Sequence, residues 1–315
     1  MILALAGGVG GARLARGLAQ VLDAKDLAIA VNVGDDFEHL GLSISPDLDT
    51  VMYTLADIHN REEGWGRAGE SWHFMETLTQ LGGETWFRLG DRDLAVHVER
   101  TRRLHSGEAL SSITGDFCAR FGIRHAILPV TDMPLRTIVQ THEGDLSFQD
   151  YFVRHRCQPR VHAFRYDGAD AVLPSLPLAR LIESDELDGV VICPSNPWLS
   201  VAPILAIAAL RTFLASKRVP VVAVSPIVAG AAVKGPAAKL MGELGIEISA
   251  PAVTRHYGRL VDGWVIDTQD AHLEPEITAA GFAVASVDTL MTDLQKSRQV
   301  AEASLLLLKR IAGSA

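Results

Sequence analysis

Six short apolar runs with almost no polar alternation constrain this chain more than any other feature. They cover residues 2–6, 27–33, 126–130, 189–193, 219–224 and 261–266, each close to Gly, Pro or Asn. A strand covered on one face alternates polar and apolar residues. A strand covered on both faces does not, and that is the pattern of a parallel sheet. Segments with helical amphipathic spacing lie between most of the runs, at 12–22, 72–81, 93–105, 111–121, 202–215 and 294–311. The alternation predicts an α/β chain with a doubly wound, mainly parallel sheet and helices on both faces. Residues 131–174 break the rhythm with Thr/Val alternation at 136–141, a Glu143-Gly144-Asp145 turn and an extended run at 160–166. They are expected to form an α+β insertion within a single domain spanning 1–315. No internal repeat occurs, and no Pro-, Gly- or Ser-rich linker marks a boundary.

Several function classes are disfavoured at once. The net charge of −9 argues against a nucleic-acid surface, which needs a basic patch to displace counterions. The three cysteines, Cys118, Cys157 and Cys193, are far apart and form no CxxC pair. A disulfide framework or zinc site is not expected, and a cytoplasmic setting is. The opening MILALAGG reads as a first strand and not as a signal peptide. The longest mainly apolar run, 199–210, is too short to span a bilayer and reads as a buried helix, so no membrane contact is expected.

The chemistry-bearing residues follow strands. Residues 6–18 read AGGVGGARLARGL, a strand end, a glycine-rich turn and a helix start. Glycine lets backbone N–H groups approach an anion, and a helix N-terminus adds positive dipole. Gly8, Gly10 and Gly11 are therefore phosphate-binding candidates, although a ligand-free tight turn has the same look. The spacing is neither the usual dinucleotide fingerprint nor a P-loop. After the second strand, NVGDDFEHLGLSISPDLDT brings Asp35, Asp36, Glu38, Asp47 and Asp49 together. Turn chemistry and a helix cap near Thr50 are one account of them. A cation among the carboxylates is the other, and magnesium suits oxygen ligands beside a phosphate loop. His39 is either a plain loop histidine or a ligand contact. In RLGDRDLAVH, Asp93 can cap a helix, and Arg88 and Arg92 can pair with carboxylates or phosphate. In CPSNPWLS, Ser195 and Asn196 follow another strand and suit either a nucleoside contact or an N-cap. Lys234, in the loop after residues 219–224, faces either phosphate or solvent. These loops should gather at one sheet edge.

GGVGGAR, VNVGDD, SPDLDTVMYTLA, LGDRD, PSNP, SPIV and VKGPAAK occur in that order along nearly the whole chain. In this the sequence resembles the 2-phospho-L-lactate transferase family of coenzyme F420 biosynthesis. The resemblance implies a Rossmann-like, magnesium-dependent, commonly homodimeric transferase. Its substrates would be the deazaflavin Fo and a guanosine-diphospho-activated three-carbon acid of phospholactate, phosphoenolpyruvate or phosphoglycerate type, and GMP would be released. It further implies that Gly8, Gly10 and Gly11 line the donor diphosphate and that Ser195 and Asn196 meet the guanosine part. Asp35 and Asp49 would hold magnesium and act in catalysis, and Asp49 and Arg88 would contact Fo. Arg88 stands where lysine is common in the family. A related family of nucleotide-sugar-binding regulatory proteins shares the glycine turn and an acidic second loop. SPDLDT and GDRD favour the enzyme over that reading. A nicotinamide dehydrogenase fits poorly, because the second strand ends in a carboxylate cluster and not in one acidic residue.

Overall fold

Seven parallel strands form the central sheet of the computed structural model, which describes residues 1–313. They are β1 (Ile2–Ala6), β2 (Leu27–Val31), β3 (Ala126–Pro129), β4 (Gly189–Ile192), β5 (Val221–Val224), β6 (Gly263–Asp267) and β7 (Ala283–Val287). Their spatial order is β3-β2-β1-β4-β5-β6-β7, with every neighbouring pair parallel. Leu3, Leu5, Ile29, Val191 and Trp264 are fully buried, as strands covered on both faces require. All six apolar runs became strands, within two residues at each end. β7 escaped notice because it is a half-buried edge strand diluted by Ala283, Ala285 and Ser286.

The strand order reverses between β1 and β4. Connections from β1 run outward through β2 to β3, while those from β4 run the other way. The loops leaving the carboxyl ends of β1 and β4 therefore diverge and leave a crevice, the place where open α/β sheets bind ligands.

Four helices matter for that crevice. They are α1 (Gly8–Val21), α2 (Pro46–Leu55), α3 (Asp91–His105) and α4 (Leu294–Ala312). α1 starts in the glycine turn itself, four residues before its expected start. α2 starts at Pro46, whose fixed φ suits the first helical turn, and not near Thr50. The expected helix at 202–215 is two helices, Ala202–Ala206 and Ala208–Ala215, bent by 92° after a turn at Pro197–Val201. The bend lies at Ile207, which has extended backbone. Its apolar residues are buried, and among the described residues no single helix is long and apolar enough to cross a membrane.

The rhythm-breaking segment forms a three-stranded antiparallel sheet. Arg136–Thr141 lies between Gly144–Ser147 and Val161–Asp167. It has its own apolar cluster around Val139, Tyr151 and Val161. Its first strand is fastened to the crevice, where the Thr137 N–H donates to the Gly34 carbonyl.

α1 crosses α4 so closely that a Cβ on Gly17 would sit 2.2 Å from the Ser297 carbonyl oxygen. Gly to Ala inside an exposed helix stabilises by about 1 kcal/mol. Here the sign should reverse. Gly17→Ala is expected to destabilise the protein by about 1–3 kcal/mol through overpacking, read as a lower urea midpoint at unchanged m-value.

Candidate active site

The glycine turn and the loop after β4 interlock at the crevice. A Cβ on Gly10 would lie 2.4 Å from the Pro194 carbonyl, and one on Gly11 would lie 2.6 Å from Ser195 Oγ. Gly10 and Gly11 thus let α1 press onto the β4 loop. Ser195 is 4% exposed; its Oγ donates to the Gly7 carbonyl (2.7 Å) and accepts from the Gly7 N–H (3.1 Å). Gly8 has φ +61°, and its N–H donates to Asp47 Oδ1 at 2.6 Å. Asn196 is an N-cap, one of its two sequence readings. Its Oδ1 caps the following turn by accepting from Trp198 N (3.0 Å) and Leu199 N (3.1 Å), while its buried Nδ2 has no partner.

The structure divides the carboxylates differently from the expected Asp35–Asp49 pair. Asp35 belongs with Asp47. Asn32, the last polar group before the acidic loop, donates from one Nδ2 to Asp35 Oδ1 (2.9 Å) and Asp47 Oδ2 (3.0 Å). Beside them Asp36 accepts from Ser45 Oγ (2.8 Å), and its Oδ1 is buried without a partner. Burial first, then the neighbouring Asp47 and Asp36 charges, raise Asp35 well above the usual carboxylate range. Burial likewise pushes Asp36 up to about 7 and Asp47 to about 6. Neither Asp47 nor Asp49 caps α2 as an outside residue. Both lie in its first turn, where the helix dipole favours negative charge.

Asp49 faces α3. Arg100, 1% exposed, grips it with both terminal nitrogens, and His97 Nδ1 lies 3.7 Å from Asp49 Oδ2. His97 Nε2 in turn lies 3.3 Å from Asp93 Oδ2, and the Tyr53 hydroxyl donates to Asp93 Oδ1 at 2.5 Å. Burial raises Asp49, and the Arg100 charge opposes that rise. Asp49, Asp93 and His97 come close enough to surround a cation. The Arg100 guanidinium already supplies the positive charge there. Asp93 does not cap α3; Glu70 does, accepting from the N–H groups of Arg92 (2.7 Å) and Asp93 (2.9 Å). α3 also fixes the acidic loop, because Thr101 Oγ1 accepts from Ser43 N at 2.7 Å.

The remaining candidates lie around this centre. Arg88 is exposed and stacks over Trp72, with its guanidinium carbon 4.1 Å from the ring centroid. His39 is buried among Phe37, Trp86 and Phe87, and its Nε2 is unpartnered. Burial lowers its pKa. Lys234 is exposed, and its Nζ donates to the Glu63 carbonyl at 2.9 Å, tying the 60–69 loop across the start of α1. Asn32 and Arg100 went unnoticed in the sequence. Asn32 had a signal, a lone amide ending an apolar strand. Arg100 had none, because helix spacing does not reveal which distant carboxylate a cation meets.

A family model described as "2-phospho-L-lactate transferase CofD" matches residues 2–306. The chain belongs to that family. CofD-family relatives agree along almost the whole length. The phosphoenolpyruvate transferase of Streptomyces coelicolor is 41% identical, covering 98% of each chain. The 2-phospho-L-lactate transferase of Methanosarcina mazei is 36% identical, covering 96% of this chain and 98% of its own. The crystal structure of a UPF0052-family protein from Bacillus halodurans superposes with a TM-score of 0.60 at 14% identity, covering 96% and 98% of the two chains. That likeness shows a shared fold. The chain is thus a CofD-family transferase with an α/β architecture.

The Asp49–Arg100 pair gives a sharp expectation. Arg100→Met leaves Asp49 buried and unpaired, and is expected to cost about 3–5 kcal/mol in urea unfolding. Adding Asp49→Leu should recover much of that loss, giving a non-additive double-mutant cycle.

Proposed function

We propose that this chain joins a guanosine-diphospho-activated three-carbon acid to the deazaflavin Fo and releases GMP, in coenzyme F420 biosynthesis. The observation that carries this reading is the Asp35–Asp47 pair, bridged by Asn32 and seated on the Gly8 N–H at the point where the strand order reverses. It places paired carboxylates beside a glycine turn, as transfer from a diphosphate requires.

Magnesium fits these residues. The donors are all carboxylate oxygens, one of them (Asp36 Oδ1) is buried without a partner, and burial leaves Asp35, Asp36 and Asp47 short of positive charge. Asp35 and Asp47 would hold the ion, with Asp36 beside them. When bound, it would neutralise charge developing on the diphosphate. The chain's own groups do the rest. Asn32 keeps the two carboxylates convergent. Asn196 Nδ2 is a free buried donor for the nucleoside side of the crevice. Asp49, aimed by Arg100, receives the proton of the Fo ribityl hydroxyl. That hydroxyl oxygen bonds to the phosphorus bearing the three-carbon acid, and the bond from this phosphorus to the GMP oxygen breaks. Arg88, exposed on Trp72, is free to meet Fo. The three unpaired cysteines suit a reducing, cytoplasmic setting.

The test supplies Fo, a guanylylated three-carbon acid and magnesium, then reads GMP and the mass of the product. GMP and product should appear in equal amounts. Stabilisation by a UDP-sugar, with none by Fo or GDP, would instead support a nucleotide-sugar-binding regulatory protein. Asp35→Asn and Asp47→Asn should each abolish the magnesium-dependent rise in Tm. They should also slow GMP release by roughly two orders of magnitude, the scale of losing several kcal/mol of transition-state stabilisation.

A further inference from the structure

Arg136 is a cation placed at the carboxylate site with no carboxylate holding it. It opens the first strand of the three-stranded insertion, next to Thr137. Thr137 is anchored on the acidic loop: its N–H donates to the Gly34 carbonyl, and its Oγ1 lies where a Cβ on Gly34 would be 2.7 Å away. Gly34 immediately precedes Asp35, so the backbone of residues 136–137 sits directly on the metal-site loop. The Arg136 charge is close enough to act on both Asp35 and Asp36. Yet Arg136 makes no ion pair within 4 Å among the described residues. It is half-buried, and its Nη1 donates to the Leu135 carbonyl at 2.8 Å. Thr137, the next residue, points to the opposite face of the strand, where its Oγ1 packs buried against Gly34.

The order of loops along the sheet edge gives this cation a role. Reading from β3 through β2 and β1 to β4, the edge presents Arg136, then the Asp35–Asp47 pair, then the glycine turn, then Asn196. A donor made of a three-carbon acid, a diphosphate and a nucleoside has its parts in a fixed linear order too. With the diphosphate at the glycine turn and the nucleoside toward Asn196, the acid end falls beyond the carboxylates. There its own carboxylate needs a positive partner, because Asp35, Asp36 and Asp47 would otherwise repel it. Arginine meets a carboxylate with two parallel N–H groups, which a lysine cannot do.

We infer that Arg136 binds the carboxylate of the donor's three-carbon acid, so that the insertion supplies the acid-end subsite. This rests on the transferase reading above. It explains why the insertion is fastened to the acidic loop by a backbone hydrogen bond, a contact that the insertion's own core does not need.

The test compares Arg136→Met and Arg136→Lys with the wild-type protein. Arg136→Met should raise the donor KM by roughly ten- to a hundredfold, the size of one lost charge-assisted hydrogen-bonded pair. The Fo KM should stay within about twofold. Arg136→Lys should recover part of the loss, since it keeps charge without the fork. A second readout is independent of turnover. Calorimetric binding of GDP with magnesium, which lacks the acid end, should be unchanged in Arg136→Met, while binding of the complete donor weakens. Equal weakening for GDP and donor would overturn the assignment, as would an unchanged donor KM or an effect confined to Fo. If the wild-type protein released no GMP from any donor, the transferase reading would fail instead, and the two failures are distinguishable.

Discussion

Asn32 hydrogen-bonds two aspartates through a single amide nitrogen, and the crevice is organised around the difficulty of burying those charges. Four carboxylates, Asp35, Asp36, Asp47 and Asp49, lie between Val33 and Thr50 with less than a tenth of their surface exposed. Buried ions cost several kcal/mol each unless they are paired and hydrogen-bonded. The protein treats the four in two ways. Asp49 receives a buried guanidinium that pairs with its charge. Asp35, Asp36 and Asp47 receive an amide, a serine hydroxyl and a glycine N–H, donors that orient carboxylates without cancelling their charge. One group carries its own counter-charge. The other does not.

That division gives each surrounding element a purpose. α3 contributes Arg100 and His97 to Asp49 and anchors Ser43 through Thr101. α1 contributes the Gly8 N–H and presses on the β4 loop through positions where no side chain fits. The insertion contributes Arg136 and is attached at Gly34. The central sheet holds the loops in sequence along one edge, so the functional groups follow strand order and not chain order.

The sheet was legible because burial on both faces removes polar alternation, and six runs showed that. The insertion was legible because its alternation has period two. The glycine turn and the acidic loop were legible as local patterns, but their internal pairing was not. Which aspartate meets which depends on Asn32, whose amide reaches forward three residues and fifteen residues at once. Asp49 reads from the sequence as a helix cap or a cation ligand, and its partner Arg100 is not legible there because it lies fifty-one residues away. Asn196 is ambiguous between cap and ligand contact in the sequence; its Oδ1 caps the following turn, and its Nδ2 is buried without a partner. The long helix at 202–215 was misread because no sequence rule marks Ile207 as an extended residue.

The crossing of α1 over α4 bears on how the protein is made. Gly17 leaves the ribosome long before Ser297, which builds the groove that receives it. Contacts so far apart in sequence form late, because a long loop must close before they repay its entropy. This crossing therefore forms only after every strand of the central sheet has been made, because α4 follows β7 in the chain. A nascent chain can hold its whole sheet while one flank of α1 is still uncovered.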